Sequence, residues 1–108
     1  MIDVKNEEIK EIVEDITLNM FNVGADKTNF RILKMLPTDL KAVMKELYLT
    51  KMPANARVNE LEKVGLVKRW KGTGKVVPTE MTKNFLELIE VIKGKVKEYI
   101  EPQLSELN

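Results

Sequence analysis

The 108-residue chain contains no cysteine and no histidine. Those two absences remove disulfides, thiolate and imidazole metal ligands, thiol redox sensing and histidine acid–base chemistry together. The lack of cysteine also agrees with a reducing interior. No run of about 18 apolar residues is present, which excludes a conventional membrane-spanning helix. The opening segment MIDVKNEEIK lacks the apolar core of a secretory leader. A soluble, cytoplasmic protein is the expectation. Catalytic signatures are missing as well. There is no glycine-rich phosphate loop, paired-carboxylate spacing or nucleophile elbow, and Lys71-Gly72-Thr73-Gly74-Lys75 lacks Walker-type spacing. The chain is therefore expected not to be an enzyme, and no cofactor or metal is implied. Glutamine is nearly absent too, with a single residue, and together with abundant Lys, Glu and Ile this gives a thermophile-like composition.

What is present is an uneven distribution of charge. The length corresponds to one domain, 1–108, large enough to bury a modest core. Net charge is only +1. Yet residues 1–26 carry Lys5 and Lys10 against Asp3, Glu7, Glu8, Glu11, Glu14, Asp15 and Asp26. Residues 50–75 reverse the balance, with Lys51, Arg57, Lys63, Lys68, Arg69, Lys71 and Lys75 against Glu60 and Glu62. Such asymmetry speaks of partners and solubility rather than fold. The acidic part reads as a solvated surface, the basic part as a surface with a use.

Hydrophobic spacing divides the chain into helices and one hairpin. Residues 6–23 place Ile9, Ile12, Val13, Ile16 and Met20 at helical intervals, with Asn6 as candidate N-cap and Gly24 as stop. After a connection over Ala25–Thr28, Phe30, Leu33 and Met35 or Leu36 face a core, and Pro37 ends that helix. Thr38 is positioned to cap the next, whose Leu40, Val43, Met44 and Leu47 share one face. Pro53 suits the first turn of a following helix running to Val64, with Gly65 as its C′ residue. Leu66 to Trp70 is β-prone, and Lys71 to Lys75 is a turn with two glycines free to take positive φ. Val76 and Val77 return, and Pro78 suits a strand end. A long helix comes last, 82–101, capped by Thr79 or Thr82 and ending before Pro102. Its apolar residues form two stripes, one of Phe85, Leu88, Ile92, Val96 and Tyr99, the other of Leu86, Ile89, Val96 and Ile100. One stripe suffices to dock a helix on its own domain, so a wide apolar face points to a second partner. The fold class is mainly α with a small β-hairpin, its core in 28–80.

The helix from Pro53 to Val64 carries the most informative pattern. Ala54, Val58 and Leu61 share one face and turn inward. Asn55, Ala56, Asn59, Glu60 and Lys63 then point outward, with Arg57 on the flank. Asparagine can pair with an adenine edge, and a small alanine permits close approach to a thymine methyl. Candidate base contacts are thus Asn55, Ala56, Arg57 and Asn59. Candidate phosphate contacts are Lys51, at a helix N-terminus, Lys63, and the hairpin's Lys68, Arg69, Lys71, Thr73 and Lys75. Any amphipathic helix has a polar face, and a lone basic hairpin is common. The two in direct succession are what distinguish this chain. Trp70 could flank the wing and stack on sugar–phosphate, but a Trp on a short strand is more often core, and the core is the expectation.

Arg57-Val58-Asn59-Glu60-Leu61-Glu62-Lys63-Val64-Gly65-Leu66-Val67-Lys68-Arg69 resembles the R-x-x-x-L-E-x-x-G-L-V-x-R stretch of bacterial and archaeal winged helix-turn-helix regulators of the MarR-like group. Lys71–Lys75 resembles the wing tip, and Val76 to Thr82 the return strand and entry to the last helix; the likeness covers roughly residues 28–90. It implies a sequence-specific transcriptional regulator that binds double-stranded DNA as a homodimer, one helix in the major groove and the wing on the phosphates. In that group dimers form through the terminal helices, which here implicates Ile9, Ile12, Val13 and Ile16 with Leu86, Ile89, Val96 and Ile100. The related ArsR group senses metals through Cys or His, which this chain lacks. The rival expectation is a winged-helix module for protein–protein contacts in a transcription or assembly complex. A non-specific chromatin-like binder is disfavoured by the near-neutral charge. The sequence names no operator or effector.

Overall fold

Two short carboxylate side chains start the helices that the sequence pattern blurred. The structure, a computed structural model, describes residues 5–106. Helix α1 (Asn6–Gly24) begins with Asn6 as its first helical residue, and Lys5 holds the capping position without a side-chain bond. The expected Asn6 cap is therefore not made. At the next corner Asp26 accepts from the backbone N–H groups of Thr28 (3.0 Å) and Asn29 (3.1 Å) and starts α2 (Lys27–Met35). Ala25 and Asp26 form the connection, while Lys27 and Thr28, also expected there, are the first residues of a capped helix. Pro37 ends α2 as expected, but Thr38 is not the cap of the third helix. Thr38–Asp39 is a short strand, β1, and Asp39 is the cap of α3 (Leu40–Leu47), accepting from the Ala42 N–H at 2.8 Å.

Helix α4 (Lys51–Lys63) starts ahead of its proline, so Lys51 is helical and Pro53 lies within the first turn, where its missing N–H has no partner to lose. Three residues join α3 to α4, and Tyr48 among them adopts a left-handed conformation (φ 53°). At the far end Gly65 (φ 84°) is the C′ residue. The Leu66 N–H returns to the Leu61 carbonyl and the Gly65 N–H to that of Glu62, each at 3.0 Å, which closes the helix in a Schellman motif.

Strands β2 (Val67–Arg69) and β3 (Lys75–Pro78) form the expected hairpin, with Val67 opposite Pro78 and Arg69 opposite Val76. The sheet has three strands rather than two, because β1 pairs antiparallel with β3 through Thr38–Val76 and Asp39–Lys75, giving the order β1-β3-β2. A two-residue strand carries no alternation that a sequence pattern can register. Helix α5 (Glu80–Glu106) opens on a reciprocal pair: the Thr79 N–H donates to Thr82 Oγ1 (2.8 Å) and the Thr82 N–H to Thr79 Oγ1 (3.3 Å). Both candidate caps act together, in the manner of a capping box. The helix does not stop before Pro102 but runs through it to Glu106. Proline forfeits one backbone hydrogen bond, which solvent replaces on an exposed segment.

The core lies where α2, α3, α4 and the sheet converge. Ile32, Val43, Ala54, Val58, Leu61, Leu66 and Val76 are fully buried, with Leu33, Val67 and Phe85 nearly so. The Phe85 ring meets Phe21 edge-on at 5.1 Å and Phe30 at 6.5 Å. Gly24 makes room for it, since a Cβ there would lie 2.8 Å from both Phe85 Cζ and Leu66 Cδ1. Beyond this anchor the two terminal helices leave the core. Residues 6–19 of α1 and 90–106 of α5 are exposed throughout. No helix among the described residues is long and apolar enough to cross a membrane.

Candidate nucleic-acid interface

The buried stripe of α4 settles which way its other side chains point. Ala54, Val58 and Leu61 are inaccessible, so Lys51, Ala56, Asn59 and Lys63 are exposed, with Asn55 and Arg57 half-buried on the flanks. The hairpin beside it exposes Lys68, Lys71, Thr73 and Lys75. Its tip is held by the Trp70 N–H donating to the Lys75 carbonyl (3.0 Å) and by Gly72 and Gly74 at φ 82° and 71°. The Thr73 hydroxyl, expected on phosphate, donates to the Trp70 carbonyl (3.0 Å) and accepts from the Lys75 N–H (3.3 Å). It shapes the turn. Trp70 is 52% exposed and stands on the hairpin flank rather than in the core.

The charges fall into two kinds. Among the described residues Lys51, Lys63, Lys68, Lys71 and Lys75 form no ion pair, as is also true of Lys5, Lys10, Lys27, Lys34, Lys41, Lys45 and Lys83, whereas Lys93, Lys95 and Lys97 of α5 each meet a glutamate of their own helix. What sets the first five apart is that they lie together on α4 and the hairpin. Basic potential is therefore left unneutralised along α4 and the wing, the arrangement that attracts a polyanion.

Both arginines of the region are engaged within the chain. Arg57 Nη1 donates to Asp26 Oδ1 at 3.0 Å, which turns it toward the α1–α2 corner and away from the face expected to read bases. Arg69 lies across α4 instead of projecting toward solvent. Its Nη2 donates to Asn55 Oδ1 (2.7 Å), the Asn55 carbonyl (3.2 Å) and Asn59 Oδ1 (2.8 Å). Its own N–H donates to Glu62 Oε2 at 3.0 Å. The motif Leu61-Glu62-x-x-Gly65-Leu66-Val67-x-Arg69 is thus a packing device: core leucine, strand tether, helix stop, two core residues and a clamp. Sequence reasoning missed two further exposed residues at the α3–α4 turn, Tyr48 (94%) and Met52 (84%). For Met52 the signal was its position off the Ala54–Val58–Leu61 stripe. Nothing in the sequence marked Tyr48.

Asp26 carries a testable consequence. The Asn29 N–H, then the Arg57 charge and the Thr28 N–H, hold its carboxyl below the ordinary carboxylate range against an opposing desolvation contribution. A depressed folded-state pKa stabilises the fold at pH values above the unfolded value of 3.8 and is lost as pH falls through the folded value. Asp26→Ala should cost about 1 kcal/mol in urea unfolding at pH 7 through the lost cap. The difference from wild type should shrink as pH is lowered below 3.8. An unchanged difference at low pH would contradict this role.

The helices α3 and α4 joined by three residues, with the β2–β3 hairpin after them, make a winged helix-turn-helix. No protein-family model and no curated protein sequence matches the chain. Solved structures share its fold. A homodimeric winged helix-turn-helix DNA-binding domain from Mycobacterium bovis, described as a possible ArsR-family transcriptional regulator, matches with TM-score 0.69 and 20% identity over 88% of this chain and 92% of that one. HlyU from Vibrio cholerae matches at 0.63 and 19%, covering 79% and 96%. The transcriptional regulator BldR from Sulfolobus solfataricus matches at 0.55 and 21%, covering 97% and 96%. At these identities the architecture is what the chains have in common.

Proposed function

We propose that the protein is a sequence-specific DNA-binding transcriptional regulator that acts as a homodimer, with α4 in the major groove and the wing on the phosphate backbone. The observation that carries this reading is the set of lysines along α4 and the hairpin without acidic partners, beside an α4 face that exposes Ala56 and Asn59. The DNA-binding domain from Mycobacterium bovis and the transcriptional regulator BldR, which share the fold, support it. Lys51 and Lys63 would meet phosphates from the helix, Lys68, Lys71 and Lys75 from the wing. Arg57 and Arg69 are reassigned from DNA contacts to internal ones.

Anisotropy titrations of random-sequence duplex DNA at two salt concentrations test it. Wild-type affinity should fall steeply with salt, and Lys71→Ala/Lys75→Ala should lower the logarithmic slope by about 2. Absence of binding at low salt would favour the protein-interaction module and send attention to α1 and α5.

The second copy is assigned to those helices. Ile9, Ile12, Val13 and Ile16 are about half exposed on α1, as are Ile92 and Val96 on α5, and Ile100 is 39% exposed. Leu86 and Ile89 pack partly against the protomer's own core. Between the two helices lies an open apolar cleft of about 310 Å³ lined by Val13, Ile16, Met20, Phe21, Phe85 and Leu88 among others. Helices this amphipathic depend on a covered face for their stability, and the Mycobacterium bovis domain is itself described as homodimeric. Ile16→Glu should convert a dimer into a monomer in light scattering while the circular dichroism stays helical. A wild-type monomer would remove the dimer from the proposal, and with it the expectation of a pseudo-palindromic site.

A further inference from the structure

The strands and helices of the proposed DNA-binding face meet in one polar cluster, and its hydrogen bonds have a direction. Arg69 is on β2 at the base of the wing, with 27% of its side chain exposed. One nitrogen, Nη2, reaches both Asn55 Oδ1 (2.7 Å) and Asn59 Oδ1 (2.8 Å), one helical turn apart on α4. A guanidinium has donors and no acceptor. Each carboxamide that bonds to it must therefore present its oxygen to Arg69 and turn its Nδ2 away. Neither Nδ2 has a hydrogen-bond partner among the described residues. Glu62 holds the other end of the arrangement, accepting from the Arg69 backbone N–H at 3.0 Å and lying 4.0 Å from Nε.

That direction bears on which base the asparagines can read. The pairing of Asn with adenine is bidentate: the amide oxygen accepts from N6 while Nδ2 donates to N7. The amide oxygen keeps a second lone pair, but turned toward Arg69 it is out of the position that the bidentate adenine pair requires, and the N–H groups lead. At adenine those donors would oppose the N6 amino group, itself a donor. Guanine presents two acceptors, N7 and O6, on the same major-groove edge. We propose that Arg69 is a positioning residue that fixes Asn55 and Asn59 as hydrogen-bond donors, so that the recognition helix selects guanine where free asparagines would select adenine. This rests on the DNA-binding reading and adds a base preference to it.

The test is selection from a randomised duplex with the full chain, then anisotropy titrations on the selected site. Asn59→Ala identifies the base position that depends on Asn59, as the one where discrimination disappears. At that position wild type should prefer guanine to adenine by about tenfold, and 7-deazaguanine there should cost a similar factor. Arg69→Met frees both amides and should move the preference toward adenine, with thermal unfolding confirming that the variant is folded. Adenine preferred by wild type at the Asn59 position overturns the inference and leaves the DNA-binding proposal intact. So does a base preference identical in wild type and folded Arg69→Met. Failure of wild type to bind any duplex at low salt overturns both. If Arg69→Met does not fold, the wild-type preference and the 7-deazaguanine substitution decide the question alone.

Discussion

Replacing Phe85 by alanine should lower the unfolding free energy by about 3–5 kcal/mol, read from urea denaturation. The ring is 2% exposed and sits in the angle between α1 and α2, against Phe21 and Phe30. Gly24 is close enough that even one added carbon would collide with it. Removing the ring leaves a cavity that three surrounding elements cannot all close, because Gly24 offers no side chain to fill it. A domain of this size has total stability on the order of 5–15 kcal/mol, so the variant is expected near the edge of folding. There is a second consequence. Phe85 is the most deeply buried side chain of α5 apart from Thr82, which is equally inaccessible. Its loss should also weaken the proposed self-association, seen as a dimer dissociating at higher protein concentration than wild type. A destabilisation under about 1 kcal/mol would mean that α5 is held by something other than this ring.

The largest effect on binding is expected at Ala56. It is exposed on the outer side of α4, between Asn55 and Arg57 in sequence and close to one helical turn from Asn59. Ala56→Glu keeps a good helix former at an exposed site, so stability should stay within about 0.5 kcal/mol of wild type. In a major groove the new carboxylate would meet base acceptors and phosphates with no cation to pair with. An unpaired charge in a closed interface typically costs several kcal/mol, and duplex affinity should fall at least about 100-fold. The comparison with Lys71→Ala/Lys75→Ala is informative. Loss of wing lysines should change the salt slope, whereas Ala56→Glu should abolish binding even where salt is low. Near-normal binding by a folded Ala56→Glu protein would mean that α4 does not enter a groove.

The motif around α4 made most of the architecture readable. Gly65 as a C′ residue, the buried faces of α3 and α4, the glycine-shaped turn and the strand end at Pro78 all come from residue types with few conformational alternatives. The features that escaped are those whose cause lies far away in sequence. β1 is strand only because β3 comes to lie beside it. Asp39 displaced Thr38 as the cap of α3 and Asp26 caps α2 where a connection was expected, since several polar residues near each corner could serve and only the chain's path selects one. Pro102 failed to end α5 because an exposed helix tolerates one missing hydrogen bond. Which side chains line the candidate site was readable from the sequence, and which of them are left free by folding was not. Arg57 and Arg69 count as basic residues in any sequence window, yet their partners are Asp26 and the asparagines of α4, and Asp26 lies 31 residues from Arg57. A charge seen in sequence is available to a ligand only if folding leaves it unpaired, and the five lysines of α4 and the wing meet that condition where Arg57 and Arg69 do not.

The short strand β1 gives the wing a mechanical connection that a plain hairpin lacks. Asp39 pairs through its backbone with Lys75 at the wing's return and through its carboxylate with the first turn of α3. Force applied to the Gly72–Gly74 tip therefore travels down β3 into the start of α3, and from there through three residues to α4. The tip and α4 are thereby joined through β3, β1 and α3. In the proposed complex the separation between them would be set by the protein, so the duplex would have to supply grooves already at that spacing or be bent to fit.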